Sequence, residues 1–122
     1  MLRHMRYHRN KDRQARGLII LDADLTTGVV TIGWSLCAKE DDFNKTKARH
    51  IADGRIKAGK IKYNFKDYNP NFIKSLIYSD QNQMEKTSSI PHSMRNTLYN
   101  IVADVNNHCL KIQERNNVAT GR

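Results

Sequence analysis

The chain has 122 residues, of which 39% are hydrophobic and 27% charged, and it carries a formal net charge of +9. This length fits one domain with a modest core and is short for an enzyme with a deep cleft. No apolar run reaches the roughly 20 residues that span a bilayer, and Cys37 and Cys109 match no zinc or redox spacing, so we expect a cytoplasmic protein without a membrane partner.

The positive charge is concentrated in two segments. Residues 1–16 hold six Arg or Lys against one Asp, and residues 41–60 hold six against three, whereas residues 17–40 are net acidic. This balance favours an anionic partner, either a nucleic acid, a free nucleotide or the acidic face of another protein. Residues 1–16 show no sustained apolar period, so we predict a basic flexible arm there, either solvated or bound to nucleic acid.

Two β-branched apolar runs follow, residues 17–25 and 29–37, joined by Thr-Thr-Gly. This pattern predicts a β-hairpin. Asp22 and Asp24 lie on one side of its first strand. We interpret them as carboxylates that face solvent or pair with arginine, and a magnesium site formed by the two is the weaker interpretation. One face of the second strand should lie against the helices. That face consists of Val30, Ile32, Trp34 and Leu36.

Residues 41–60 predict a helix that Asp41 or Asp42 begins and Gly59 ends. Arg55 falls inside its apolar arc, and a desolvated guanidinium keeps its charge and so needs a partner. There are three alternatives for Arg55. It forms a structural ion pair, it packs its aliphatic part on the core with the guanidinium in water, or it binds an anion. The apolar arc consists of Ala48, Ile51, Ala52 and Ile56.

Two other residues of this segment are candidates for binding. Phe43 lies on a flank away from the apolar arc, and Arg49 lies on the arc's other edge. Phe43 either contacts a neighbouring element or subunit, or it presents its ring to a ligand.

The second half of the chain continues the sheet and adds helices. Residues 61–65 alternate apolar and polar side chains and predict a third strand. Asn69 and Pro70 form a cap-and-proline signal, so we predict a helix from Pro70 to about Tyr78, with an extension to Met84 left open, and then a polar loop over residues 79–88.

Ser89, Ile90 and Pro91 repeat that signal and predict a final helix to about Gln113, with a frayed tail over residues 116–122. The apolar stripe of this helix either packs within the monomer or forms a self-association interface. We interpret His108 as a hydrogen-bonded residue of the helix seam. The apolar stripe consists of Met94, Leu98, Ile101, Val102, Val105, Cys109 and Ile112.

The predicted fold class is α+β. A small antiparallel sheet, made of the N-terminal hairpin and a third strand, packs with two or three helices in a single domain over residues 17–115, and the last helix is long and amphipathic. No phosphate loop, nucleophile elbow or metal spacing occurs in the sequence. We therefore expect a binding protein without a cofactor, a metal or catalytic activity, and a nuclease using Asp22 and Asp24 is a weaker alternative.

Residues 33–59 resemble a known family. Gly-Trp-Ser-Leu-Cys at 33–37, Asp-Phe-Asn-Lys at 42–45 and Arg-His-Ile-Ala-Asp-Gly-Arg at 49–55 are similar to the Thoeris anti-defence sponges of phages, the larger of their two original kinds. There, a strand ending in Cys precedes an Asp-x-Phe-x-Lys helix that carries Arg-x-Ile-Ala-x-Gly-Arg.

The resemblance implies a homo-oligomer, built from dimers into a hexamer, that acts in the host cytoplasm. It would sequester cyclic ADP-ribose isomers made by TIR-domain defence proteins, and some members also hold cyclic oligonucleotides. Arg49 and Arg55 would then contact phosphate and Phe43 would stack on adenine. From chemistry alone, Arg95 and Asn96 at the start of the last helix are expected to complete the anion site. The alternative is a small basic phage regulator that binds DNA or RNA.

Overall fold

A computed structural model of the chain describes residues 1–78 and 90–120. Strands β1 to β4 form one antiparallel sheet in that order, and β5 pairs with β6 in parallel. The predicted α+β class, with a long C-terminal helix, is confirmed. The elements, in chain order, are β1 Leu2–Arg9, β2 Ala15–Ala23, β3 Val29–Leu36, α1 Lys45–Ala58, β4 Lys62–Asn64, α2 Pro70–Leu76, β5 Ile77–Tyr78, β6 Ile90–Pro91 and α3 Arg95–Thr120.

Helices cover both faces of the sheet. On β2, Ile19 and Leu21 belong to the core under α3, whereas Leu18 and Ile20 pack against α1. A strand buried on both faces carries apolar residues at successive positions, which explains the unbroken apolar run of β2. The predicted hairpin is confirmed, with β2 and β3 paired antiparallel.

The β3 face that was expected to lie against helices does so except at its end. Val30, Ile32 and Trp34 belong to the core under α3, but Leu36 is 37% exposed. The opposite face is also covered, by α1, and Gly33 allows the close approach. A Cβ at Gly33 would collide with the carbonyl oxygen of Ala52 and lie 2.6 Å from Ile56 Cγ1.

The flexible arm predicted for residues 1–16 is wrong. Leu2–Arg9 forms the edge strand β1, which pairs with β2 from Leu2↔Ala23 to Arg9↔Ala15. Its own residues are largely polar, so its sequence lacks the apolar period by which strands are recognised. Alternate side chains of β1 meet α3 through hydrogen bonds. These pairs are His4 with His108 at 3.2 Å, Arg6 with Asp104 at 2.6 Å, and His8 with Thr97 at 2.9 Å.

Helix α1 ends as predicted but begins later. Gly59 adopts the left-handed conformation, with φ 64°, and its N–H donates to the carbonyls of Arg55 and Ile56. The N-cap is Asn44 and not Asp41 or Asp42, since the Asn44 side chain accepts the Lys47 backbone N–H at 3.0 Å. Four residues predicted to be helical therefore belong to the preceding loop, where they become available to a site.

The third strand is confirmed as β4, although it is only Lys62–Asn64. Helix α2 begins at Pro70 with Asn69 as its cap, as predicted, but it ends at Leu76 because residues 77–78 pair with Ile90–Pro91 in the small parallel sheet. The predicted loop over residues 79–88, and the extension of the helix to Met84, lie outside the described residues.

The last helix starts and ends later than predicted. Ile90–Pro91 is a strand and His92–Met94 a 3₁₀ turn, so α3 begins at Arg95, and it continues to Thr120 instead of ending near Gln113. The predicted fraying of residues 116–120 is therefore wrong, and residues 121–122 lie outside the described ranges. Its apolar stripe is buried within the chain, from Met94 to Cys109. Among the described residues, no helix is long and apolar enough to cross a bilayer.

Candidate functional site

The end of β3 and the start of α1 enclose a cavity of about 240 Å³, which we call the Phe43 cavity. The loop between these two elements forms part of its wall. The start of α1 at Lys45, rather than at residue 41, is what leaves Asp41, Asp42 and Phe43 in that loop. Its lining includes Ser35, Cys37, Asp42, Phe43, Lys47 and Ile51.

Phe43 is half-buried and its ring is held from one side. The Tyr7 ring meets it edge to face, with the centroids 6.0 Å apart and the planes at 88°. Phe43 also packs on the small apolar cluster that Leu18 and Ile20 form with α1. Such contacts fix the orientation of an aromatic ring, so Phe43 can offer a preorganised apolar surface to the cavity.

Ser35 is the polar anomaly of the cavity wall. Its residue is 4% exposed, and its buried Oγ has no hydrogen-bond partner in the described part of the chain. A buried hydroxyl without a partner costs about 1–3 kcal/mol. The oxygen itself is buried beneath the cavity wall, so a ligand group bonds to it, and recovers that free energy, only after a local shift of the wall.

The charges around the cavity have both signs. Lys47 lies in the first turn of α1, where the partial positive charge of the helix end adds to its ammonium group. Asp41 and Asp42 line the loop side. The cavity therefore suits a ligand ring that donates hydrogen bonds to the carboxylates on one side and accepts a hydrogen bond from Lys47 on the other.

Arg55 lies at the edge of the sheet and does not line the Phe43 cavity. Its guanidinium lies over the Trp34 ring, 3.8 Å from the centroid, and its Nη1 donates to the Trp34 carbonyl at 2.6 Å. Strand β4 pairs with Val29–Thr31, and the Ile61 carbonyl accepts the Ile32 N–H at 2.9 Å, so among the described residues no strand pairs with this edge of β3 beyond Ile32. Arg55 thus satisfies a sheet-edge carbonyl, which explains a cation inside the apolar arc of α1.

Arg49 is on the exposed surface of α1. Its side chain is 58% exposed, and its Nε lies 3.9 Å from Asp53 Oδ2. Asp53 also accepts a hydrogen bond from Arg3 Nη1 at 2.6 Å. Arg49 therefore belongs to a network of surface ion pairs and does not line the Phe43 cavity.

Arg95 and Asn96 occupy the exposed first turn of α3. The backbone N–H of Arg95 already donates to the His92 carbonyl, because a 3₁₀ turn precedes the helix. Neither residue lines the Phe43 cavity. The structure therefore does not bring these two residues to the ring of Phe43.

The two aspartates considered as a metal pair have other roles. Arg3 forms two bonds with Asp22, both at 2.7 Å. Asp24 accepts backbone N–H bonds from Thr26 and Thr27, which lower the pKa of its carboxyl group. Among the described residues, no three His, Cys, Asp or Glu side chains are grouped as a metal site would require.

Of the five predicted site residues, only Phe43 lines the cavity. Ser35 and Lys47 were missed. A single serine in an apolar strand is a weak signal, because its lack of a partner depends on what packs over it. Lys47 could have been found from the Asn44 cap, which places it in the first turn of the helix.

No family model, no curated protein and no solved structure matches the chain. The resemblance of residues 33–59 to the anti-defence sponges therefore stays a prediction. The chemistry of the Phe43 cavity carries the argument for function.

Proposed function

We propose that this chain is a non-enzymatic protein that binds a small cyclic nucleotide and sequesters it in the host cytoplasm, as the Thoeris anti-defence sponges do. The supporting observation is the Phe43 cavity, where an oriented aromatic ring lines one space with Ser35, whose buried hydroxyl has no partner among the described residues. A nucleobase has a flat apolar face and a polar edge, and this pair of groups suits both.

The size of the cavity restricts which part of a ligand enters it. At about 240 Å³ it is below the range of roughly 300–1,000 Å³ that ligand pockets usually have. It suits one ring system rather than a whole cyclic dinucleotide. The rest of the ligand then lies outside it, against the neighbouring surface or a second subunit, so the proposal keeps the expected dimer or hexamer.

The nucleic-acid alternative is less well supported, because two of the six cationic side chains in residues 1–16 are already in ion pairs. Arg3 binds Asp22 and Asp53, and Arg6 binds Asp104. Guanidinium groups in ion pairs contribute less to phosphate binding than solvated ones, since each pair must first be broken.

Calorimetric titration with cyclic ADP-ribose isomers tests the proposal. Phe43→Leu keeps an apolar side chain but removes the ring, and we expect it to weaken binding about tenfold, since base stacking on an aromatic residue contributes roughly 1–3 kcal/mol. Lys47→Gln should weaken binding less, and Lys57→Gln, on the same helix but outside the cavity lining, is its matched control.

Two results would decide against this function. One is conversion of the nucleotide, seen as a changed mass after release from the protein, since a sponge returns its ligand intact. The other is tight binding to long DNA or RNA that falls steeply between 50 and 200 mM salt, without binding of the small cyclic nucleotide, which would favour the regulator.

A further inference from the structure

A second cavity adjoins the Phe43 cavity. It has a volume of about 480 Å³, and both cavities have Leu36 and Cys37 in their walls. We call it the Arg16 cavity. Because the end of β3 separates the two spaces, one ligand can occupy both only by passing over these two residues. The cationic residues of its lining are Arg16 and Lys39.

The two cavities differ in charge. The Phe43 cavity has Asp41 and Asp42 in its lining beside Lys47. Among the described residues, the lining of the Arg16 cavity contains Arg16 and Lys39 and no acidic side chain. A phosphate group is therefore disfavoured near the loop carboxylates and favoured at the Arg16 cavity.

Arg16 is held in place by the loop that separates β3 from α1. Its Nη1 donates to the Asp41 carbonyl at 3.0 Å, and its Nη2 donates to the Ala38 carbonyl. Its own carbonyl accepts the Cys37 N–H at 2.8 Å. A guanidinium fixed in this way loses little conformational entropy when an anion binds.

We propose that the Arg16 cavity is the phosphate subsite of the ligand whose ring occupies the Phe43 cavity. This inference rests on the proposed function and gives the ligand an orientation. The base meets Phe43 and Ser35, the sugar crosses Leu36 and Cys37, and the phosphate meets Arg16 and Lys39. The carboxylates of Asp41 and Asp42 select bases with an exocyclic amino group, which can donate a hydrogen bond to them.

Adenosine and adenosine 5′-monophosphate are the probes, since they differ only in the phosphate. Titration of the full chain at constant ionic strength should show tighter binding of the monophosphate. Lys39→Gln should weaken the binding of the monophosphate about tenfold and leave the binding of adenosine unchanged, as expected for the loss of one charge-assisted hydrogen bond. Lys60→Gln, which changes an exposed lysine outside both linings, is the matched control.

The subsite assignment is overturned if the unaltered chain binds both probes equally, if it binds neither, or if Lys39→Gln weakens both alike. None of these results removes the proposed function, which is judged separately from the titration with cyclic ADP-ribose. If that ligand binds and Phe43→Leu weakens it while Lys39→Gln does not, the base site stands and its phosphate lies elsewhere. We use Lys39 and not Arg16 for the test, because Arg16 also holds the loop.

Discussion

The guanidinium of Arg55 lies 3.8 Å from the centroid of the Trp34 ring and bonds to the carbonyl of the same residue. One side chain of α1 thus contacts both the ring and the backbone of β3. It does so where β4 no longer covers the edge of that strand. This contact connects helix α1 to the core under α3, which lies on the other face of the sheet.

Arg55→Leu should therefore lower the free energy of unfolding by about 1–3 kcal/mol, since it removes a partly desolvated cation–π contact and leaves a carbonyl without its donor. Arg55→Lys should lose less, because an ammonium keeps the charge but not the planar stacking. Urea denaturation measures this, and the fluorescence of Trp34, the only tryptophan, reports the local change. Equal stability of all three proteins would show that the contact contributes little.

Gly33 and Gly54 form a natural pair of test sites. Gly33→Ala should destabilise the fold by about 1–3 kcal/mol, because the new methyl group would overlap the backbone of α1 and Ile56. Gly54→Ala lies in the exposed middle of α1, where none of the described residues comes within 4 Å of the added carbon, and it should stabilise the fold by about 0.5–1 kcal/mol. Thermal unfolding of the two variants should therefore shift in opposite directions, and a shift in the same direction would contradict the packing of α1 on β3.

The His4 ring of β1 contacts the His108 ring of α3, and protonation of His4 should make stability depend on pH. Burial, then His108 and Arg6, lower the pKa of His4 below its ordinary 6.5, while Asp104 opposes this, and burial lowers the pKa of His8. A histidine with a lowered folded-state pKa is favoured in its neutral form. The unfolded chain therefore takes up protons first, so this stability is complete above pH 6.5 and is lost as the pH falls below it.

Measuring the free energy of unfolding between pH 7.5 and pH 5 tests this. His4→Gln should flatten the loss of stability over that range, while His50→Gln, at an exposed position of α1, should not. The protonation of carboxylates contributes equally to the pH profiles of all three proteins, so this contribution cancels in the comparison. An unchanged pH profile for His4→Gln would mean that His4 does not couple protonation to folding.

The ion pair of Arg3 and Asp22 tests whether β1 is a stable part of the sheet. Asp22 is 7% exposed and accepts two hydrogen bonds from Arg3. Asp22→Asn should therefore lower the free energy of unfolding by about 1–3 kcal/mol. The lower part of that range is expected, because the Arg3 side chain is about one-third exposed and solvent screens its charge. Replacing both residues, by Arg3→Met with Asp22→Asn, should cost less than the sum of the single changes. Strict additivity in a denaturation cycle would argue against the pairing.

Local signals in the sequence predicted several elements correctly. The Thr-Thr-Gly connection predicted the hairpin, Gly59 predicted the end of α1, and Asn69 with Pro70 predicted the start of α2. The apolar stripe of α3 predicted the buried face of that helix. Each of these signals acts over a few residues, because caps, turns and periodicity are properties of the local backbone.

The largest error, over residues 1–16, arose because the partners of that segment are distant in sequence. Leu2–Arg9 has no apolar period, and it is a strand because Asp22, Asp104 and His108, far along the chain, accept or contact its side chains. The site was missed for a related reason. Ser35 and Lys47 look unremarkable in sequence, and they line the same cavity only when α1 packs on Gly33.

The sequence by itself therefore determined the class of fold, the end of α1, the start of α2 and the excess of positive charge. The tertiary structure decided which of those charges are neutralised by ion pairs and which groups line the Phe43 and Arg16 cavities. The physical reason is that capping and periodicity are set by neighbouring residues, whereas burial, ion pairing and an unpartnered hydroxyl depend on segments that meet only after the chain has folded.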